Sequence, residues 1–323
     1  MSRVLVVGSY NQDLVWDVDV LPAPGETRAG LAFRSGPGGK GFNQAVAAAR
    51  AGARTALIGA LGEDTLADGA RALAQAEGID ARFETHANVA TGTAGIIVDR
   101  LGRNSIVVAL GANACLSIEH VEAQTDAFGH ASVVLAPLES PLPAVAAAMR
   151  LARRFGARTV LNPAPMHADL RASQLADIDL LTPNETEFAQ LLARFSGVAH
   201  EASSFRSMSD DALGNLAALL PVAGVLITLG DAGAVLFPGA RAAEATFPIS
   251  VRRQPAAPVQ TLDTTGAGDA FNGALAAAWA QAPHSDPAEC LAFASAFAGL
   301  STERRGAAAS MPTKAELSAR FPA

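Results

Sequence analysis

Cysteine is nearly absent from this chain: of 323 residues only Cys115 and Cys290 carry a thiol. They lie far apart and without metal-ligand spacing, so neither a disulfide framework nor a zinc site is supported, and a reducing cytoplasm is the expected compartment. Basic clusters are missing too. With a net charge of −7 and no run of Lys and Arg, the chain lacks the basic stripe that displaces counterions from nucleic acid, and small neutral or nucleotide ligands are expected instead. No apolar run reaches the ~18 unbroken residues that cross a bilayer, since Ala-rich segments such as 273–282 are short. The opening run Arg3-Val4-Leu5-Val6-Val7-Gly8 is too short for a signal peptide, so a soluble, unexported protein is expected. What is abundant is apolar residues, 50% of the chain, enough for the core of one large α/β domain or two small ones.

Apolar runs and helical patterns alternate. Residues 4–7, 56–59, 132–135, 159–161, 178–181 and 224–229 read as strands, and 44–50, 66–77, 144–155 and 185–194 as helices, which is the rhythm of a parallel sheet flanked by helices. Two stretches break it: 14–20 with its continuation to Phe33, and 93–110, where Ile96-Ile97-Val98 and Ile106-Val107-Val108 flank a turn and read as a hairpin. These inserted strands predict a small separate sheet that covers a site or pairs with another subunit. The expected division is a core of residues 1–12, 36–92 and 111–323, and a β lid of 13–35 and 93–110. Residues 196–211 read as a polar surface connection ending in a helix start.

The most informative segment is Asp263-Thr264-Thr265-Gly266-Ala267-Gly268-Asp269-Ala270-Phe271-Asn272-Gly273. Bare N–H groups at a helix start attract anions. Gly266 and Gly268 have no Cβ, so the chain can turn sharply and an oxyanion can approach, with Asp269 beside it as a candidate base for phosphoryl transfer. The plainer reading is a strand-to-helix joint capped by Asp269.

Other segments narrow the choice. Gly36-Pro37-Gly38-Gly39-Lys40-Gly41-Phe42-Asn43-Gln44 is not a Walker A loop, because Arg34 and Gly41 stand where that motif needs Gly and a hydroxyl. It reads as a glycine turn into a helix whose first turn presents Lys40 and Asn43 together, donors suited to sugar hydroxyls. Gly8-Ser9-Tyr10-Asn11-Gln12-Asp13 has one glycine where a dinucleotide fingerprint needs three, which disfavours a dehydrogenase. Asn11 and Asp13 share one side of an extended segment at a strand's carboxyl end. Asn184 and Glu187 form a capping-box pattern, or aim a carboxylate at a Mg²⁺–phosphate cluster through water. Thr228 to Gly233 reads as a hairpin turn, and Glu139 in isolation as a solvated strand end.

Taken in order, these segments resemble the PfkB carbohydrate-kinase family, on its ribokinase branch. The resemblance also runs through Pro24-Gly25-Glu26-Thr27, Gly111-Ala112-Asn113, Asn162-Pro163-Ala164-Pro165 and Thr228-Leu229-Gly230. It departs at Ala136-Pro137, where an apolar-Gln pair is common, and at Pro37. The resemblance implies a three-layer α/β/α fold with a mostly parallel central sheet and a small β-sheet lid. It implies ATP-dependent phosphorylation of a primary hydroxyl of a small furanose, with D-ribose first. Alternatives are 2-deoxyribose, fructose or a nucleoside as acceptor, or a non-catalytic sugar or nucleotide sensor.

By resemblance, Asn11, Asp13, Gly39, Lys40, Asn43 and Glu139 contact the sugar, Asp269 is the base, and Gly266, Ala267 and Gly268 form the anion hole. Asn184, Thr228, Gly230, Gly233, Gly268 and Ser295 lie near the nucleotide, and Glu187 organises Mg²⁺. Asp263, Thr265, Ser301, Gly306 and Ser310 supply oxygen ligands for a K⁺ ion, and a homodimer through the lid is expected.

Overall fold

The computed structural model describes residues 3–245, 247–282 and 285–322; residues 1, 2, 246, 283, 284 and 323, which the expected core also spans, lie outside the described residues. The strands are β1 (Arg3–Val7), β2 (Asn11–Asp17), β3 (Ala32–Gly38), β4 (Arg54–Gly62), β5 (Asp80–His86), β6 (Thr93–Val98), β7 (Asn104–Ala109), β8 (Val133–Ala136), β9 (Arg158–Leu161), β10 (Leu180–Leu181), β11 (Gly224–Thr228), β12 (Ala234–Pro238) and β13 (Arg252–Gln254). Nine of them form one sheet in the order β13-β12-β11-β10-β9-β8-β1-β4-β5, parallel throughout except for β12 and β13.

Alternation within a strand explains the three layers. In β1, Val4 and Val6 join an apolar cluster with helices Lys40–Arg50, Ala267–Gln281 and Leu291–Ser301, while Leu5 and Val7 join another with Leu142–Arg154 and Glu185–Ser196. Both faces are therefore covered, and the strands read as unbroken apolar runs. No helix among the described residues is long and apolar enough to cross a membrane.

The remaining four strands make a second sheet, β3-β2-β6-β7, in which β2 pairs antiparallel with β3 and parallel with β6, and β6 antiparallel with β7. Its bounds differ from the expected 13–35 segment: β2 begins at Asn11, and β3 runs to Gly38, with Pro37 opposite Gln12. The glycine turn is thus partly strand. Register puts Trp16 beside Phe33 with ring centroids 5.1 Å apart, and Asp13 in line with Ala94 and Val108.

Local readings shift in four further places. The expected strand 178–181 shrinks to β10, and two strands not anticipated, β5 and β13, extend the sheet edges. Residues 196–211 are not simply a surface connection: a 3₁₀ turn at Ala202–Ser207 buries Phe205 fully, 4.9 Å from the Phe188 ring, and Ser209 caps the helix Asp210–Ala217. One apolar side chain anchors a stretch whose composition is polar.

Candidate active site

The carboxyl ends of β1, β8, β9, β10 and β11 all feed one edge of the large sheet, where open α/β sheets bind ligands. After β1 come Ser9 and, opening β2, Asn11; after β8 comes Glu139, after β9 Asn162, after β10 Thr182 and Asn184, and at the end of β11 Thr228 and Gly230. Helix Ala267–Gln281 lies over this edge, with Gly266 as its N-cap in the left-handed region, φ 75°. Thr264 accepts the Ala267 N–H at 3.1 Å, so that amide is committed. Gly268, in the first turn, lacks an acceptor within the helix. A Cβ at Gly268 would meet nothing within 4 Å, whereas one at Gly266 would lie 3.0 Å from Ala307 Cα. The space in front of Gly268 is open.

Asp269 is buried on the same helix and is held on both oxygens. Asn43 Nδ2 donates to Oδ2 at 2.9 Å and Gln44 Nε2 to Oδ1 at 3.0 Å. Helix Lys40–Arg50 approaches closely enough because residue 273 is glycine; a Cβ there would sit 2.5 Å from both Ala47 Cβ and the Gln44 carbonyl. Orientation of the two amides leaves Asn43 Oδ1 and Gln44 Oε1 buried without a partner among the described atoms. Each such acceptor costs about 1–3 kcal/mol, which the fold tolerates where a ligand completes the set.

Charge converges on this point. The Lys40 ammonium is held above its ordinary value by Asp269 first, and by Glu139 and Glu187 against the opposing effect of burial. Asp13 is pushed up to about 7 by burial, then by the charges of Glu139 and Asp269. Glu139 is not a free strand end: it accepts from the Ser9 hydroxyl at 2.6 Å and from the Lys40 amide at 2.9 Å, fixing the start of the helix. Gly39 has φ 83°, and a Cβ there would lie 2.6 Å from the Asn11 nitrogen. Only glycine fits this crossing. Asn11 is fixed in turn by Asn113, whose Nδ2 donates to Asn11 Oδ1 at 2.9 Å.

On the opposite side, the capping box is realised. Asn184 Oδ1 accepts from the Glu187 amide, Glu187 Oε2 accepts from the Asn184 amide, and Asn184 Nδ2 donates to Oε1, all within 2.9–3.0 Å. Burial raises the Glu187 carboxyl, and Asp269 pushes the same way, although the Asn184 donors and the Lys40 charge oppose it. Thr228 pairs with Asn184, Gly230 and Gly233 have φ 57° and 88°, and Ser295 donates to the Pro255 carbonyl at 3.0 Å.

Asp263 accepts from the Thr265 amide and hydroxyl on one oxygen and from the Gly306 amide on the other. Burial opposes its ionisation, yet these donors hold it below the ordinary value. Ser301 and Ser310 are buried and donate to the carbonyls of Ala298 and Ala307. Among the described residues, no three His, Cys, Asp or Glu side chains cluster as a metal site.

The description "pfkB family carbohydrate kinase" fits residues 1–314. This chain belongs to the pfkB carbohydrate-kinase family. It is 38% identical to a ribokinase of Haemophilus influenzae over 98% of this chain and 97% of that one, and 36% identical to a ribokinase of Mus musculus over 98% and 94%. A deoxyribokinase of Salmonella typhi is 31% identical over 96% and 95%. Among solved structures, a ribokinase from Giardia lamblia superposes with TM-score 0.84 at 30% identity, covering 99% of this chain and 98% of that one. The Arabidopsis thaliana ribokinase complexed with ribose and ATP gives 0.79 at 30% identity, covering 98% and 97%. As a pfkB kinase, the chain is a phosphotransferase acting on a sugar hydroxyl.

Several polar residues in the quoted segments carry site hydrogen bonds but were given no role in the sequence reading: Gln44, Asn113, Asn162, Thr182 and Asn272. One signal was legible, since Asn272 stands three residues after Asp269 on the same helix face. Gln44 was hidden by its neighbour Asn43, and Asn162 and Thr182 by the prolines that follow them.

Proposed function

We propose that this protein is an ATP-dependent ribose kinase that transfers the γ-phosphoryl group to the primary hydroxyl of D-ribose. The observation that carries the reading is the Asp269 carboxylate, buried at a helix N-terminus between two amide donors and beside Lys40. Asp269 takes the proton of the hydroxyl as its oxygen forms a bond to the γ-phosphorus, and the bond from that phosphorus to the β–γ bridging oxygen breaks, releasing ADP. The open amide of Gly268 and the helix end meet charge on the transferred group, with Gly266 and Ala267 shaping the turn.

Sugar contacts come from Asn11, Asp13, Gly39, Lys40, Asn43 and Glu139; the unpartnered Asn43 Oδ1 is an acceptor waiting for a hydroxyl. Asn184, Thr228, Gly230, Gly233 and Ser295 border the nucleotide. Mg²⁺ arrives as part of the MgATP substrate, and Glu187, whose oxygens are engaged with Asn184, reaches it through water. A monovalent cation such as K⁺ fits the oxygen-rich set of Asp263, Thr265, Ser301, Gly306 and Ser310, where it would firm the loop beside the anion hole.

The four-stranded sheet of segments 13–35 and 93–110 serves as the lid over a core of 1–12, 36–92 and 111–323, because Asp13 lies on it and faces Glu139 and Asp269. Closure excludes water as a competing acceptor. The sheet exposes Phe33 at 57% and Val107 at 75%, apolar surface suited to a second copy in a homodimer. The cytoplasm supplies ATP and matches the two unpaired thiols. An ADP-release assay over D-ribose, 2-deoxyribose, D-fructose and adenosine, with and without K⁺, tests the assignment; preference for any acceptor other than ribose overturns the substrate.

A further inference from the structure

A continuous run of buried amides and hydroxyls links the base to the nucleotide side of the site. Gln44 Nε2 spans Asp269 Oδ1 at 3.0 Å and Asn162 Oδ1 at 3.1 Å. Asn162 Nδ2 donates to the Thr182 carbonyl at 3.0 Å, the Thr182 hydroxyl donates to Asn272 Oδ1 at 2.6 Å, and Asn272 Nδ2 donates to the Gly268 carbonyl at 2.9 Å. All four side chains are buried, from 0% exposure at Gln44 to 6% at Asn162. The run begins on the carboxylate and ends on the glycine of the anion hole, and it passes through the residue two before Asn184.

We propose that Gln44 is a positioning residue for phosphoryl transfer: with Asn162 as its second anchor, it fixes the plane of the Asp269 carboxylate so that one lone pair faces the acceptor hydroxyl. Asn43 alone, bonded to Oδ2, leaves the carboxylate free to swing about its Cβ–Cγ bond. A second donor on Oδ1 removes that rotation. Gln44 can be aimed this way only because both its partners are acceptors, which fixes the amide and leaves Oε1 without a partner. Holding a base within tens of degrees of its working orientation acts on the chemical step and not on substrate affinity.

This inference rests on Asp269 as the base, and the two ideas fail separately. Steady-state kinetics and thermal melting are measured for Gln44→Met, Asn162→Ala, the double variant and Asp269→Asn. Gln44→Met keeps the length of the side chain and loses the donor; kcat is expected to fall on the order of 10-fold, with KM for ribose and for ATP within about threefold of wild type. Asn162→Ala leaves Gln44 in place and lowers kcat less, and the double variant is no slower than Gln44→Met, since both act through one bond. Wild-type kcat in Gln44→Met overturns the proposal. So does a double variant whose losses multiply, or a loss in which both KM values rise in step with kcat and melting temperature, because packing alone gives that pattern. If Gln44→Met does not fold, Asn162→Ala decides: a fall in kcat at constant KM supports positioning, and an unchanged kcat overturns it. Wild-type turnover in Asp269→Asn sinks the base assignment whatever the Gln44 variants do.

Discussion

Replacing Asp269 by Asn changes one oxygen of a buried side chain into an NH₂ group and keeps the shape. Two consequences follow from the geometry. The variant cannot take a proton from the acceptor hydroxyl, and loss of a general base slows reactions by roughly 10²–10⁴-fold, or about 3–5 kcal/mol of barrier. Its amide also meets two donors, Asn43 Nδ2 and Gln44 Nε2, where the carboxylate met both as an acceptor. One donor is then left facing another, which costs about 1–3 kcal/mol of stability unless Asn43 turns its free Oδ1 inward. Turning Gln44 instead would sacrifice its bond to Asn162. The proposed sugar contacts Asn11, Lys40 and Glu139 keep their side chains, so calorimetric ribose affinity should change by less than about fivefold. ADP release at saturating ribose and MgATP measures kcat, and differential scanning calorimetry measures the stability loss. Turnover within about tenfold of wild type would falsify the base assignment, and an unchanged melting temperature would remove the inferred donor conflict.

Three further outcomes are expected. Gly268→Ala adds a methyl that meets no atom within 4 Å, so melting temperature should hold or rise while kcat/KM for ATP falls at least tenfold; equal losses in both would mean the open space is not kept for phosphate. Asp13→Asn should alter the pH dependence of stability in the ligand-free protein. The folded carboxyl, at about 7 against an ordinary 3.8, keeps its proton where the unfolded chain has lost it, so wild-type stability declines as pH rises from about 4 to 7. The variant lacks that decline and should melt above wild type at pH 8 by a margin that closes by pH 4; a constant margin contradicts the burial argument. Paired substitutions Phe33→Glu and Val107→Glu place charge on the exposed face of the four-stranded sheet; the proposed homodimer predicts by light scattering a dimer for the unsubstituted chain and a monomer for the pair, and a dimer that persists in the pair refutes that interface.

How much was readable beforehand depended on the range of the interaction. Runs such as Val4-Leu5-Val6-Val7 and the Ala-rich segment after Asp269 identify their elements locally, because a two-faced buried strand and a buried helix each need unbroken apolar surface. Glycines at 39 and 266 marked the turns, since φ above zero at both excludes other residues. Read in isolation, Glu139 gave only a solvated strand end, because its partners Ser9 and Lys40 lie 130 and 99 residues away in sequence. Phe205 was likewise lost in a polar stretch, its burial depending on a ring from another helix.

The sequence by itself determined the layered α/β architecture, the glycine turns and the acid at the helix start, because periodicity, backbone freedom and helix-end charge are local properties. Only the tertiary structure decided how that acid is held. It brings helix Lys40–Arg50 against Gly273 so that Asn43 and Gln44 grip Asp269 across more than 220 residues of chain, and it sets the end of β8 against β2 and the start of that helix so that Glu139, Asp13 and Lys40 share one field. Orientation and ionisation of buried groups depend on neighbours distant in sequence, and those neighbours exist only once the sheet has closed its layers.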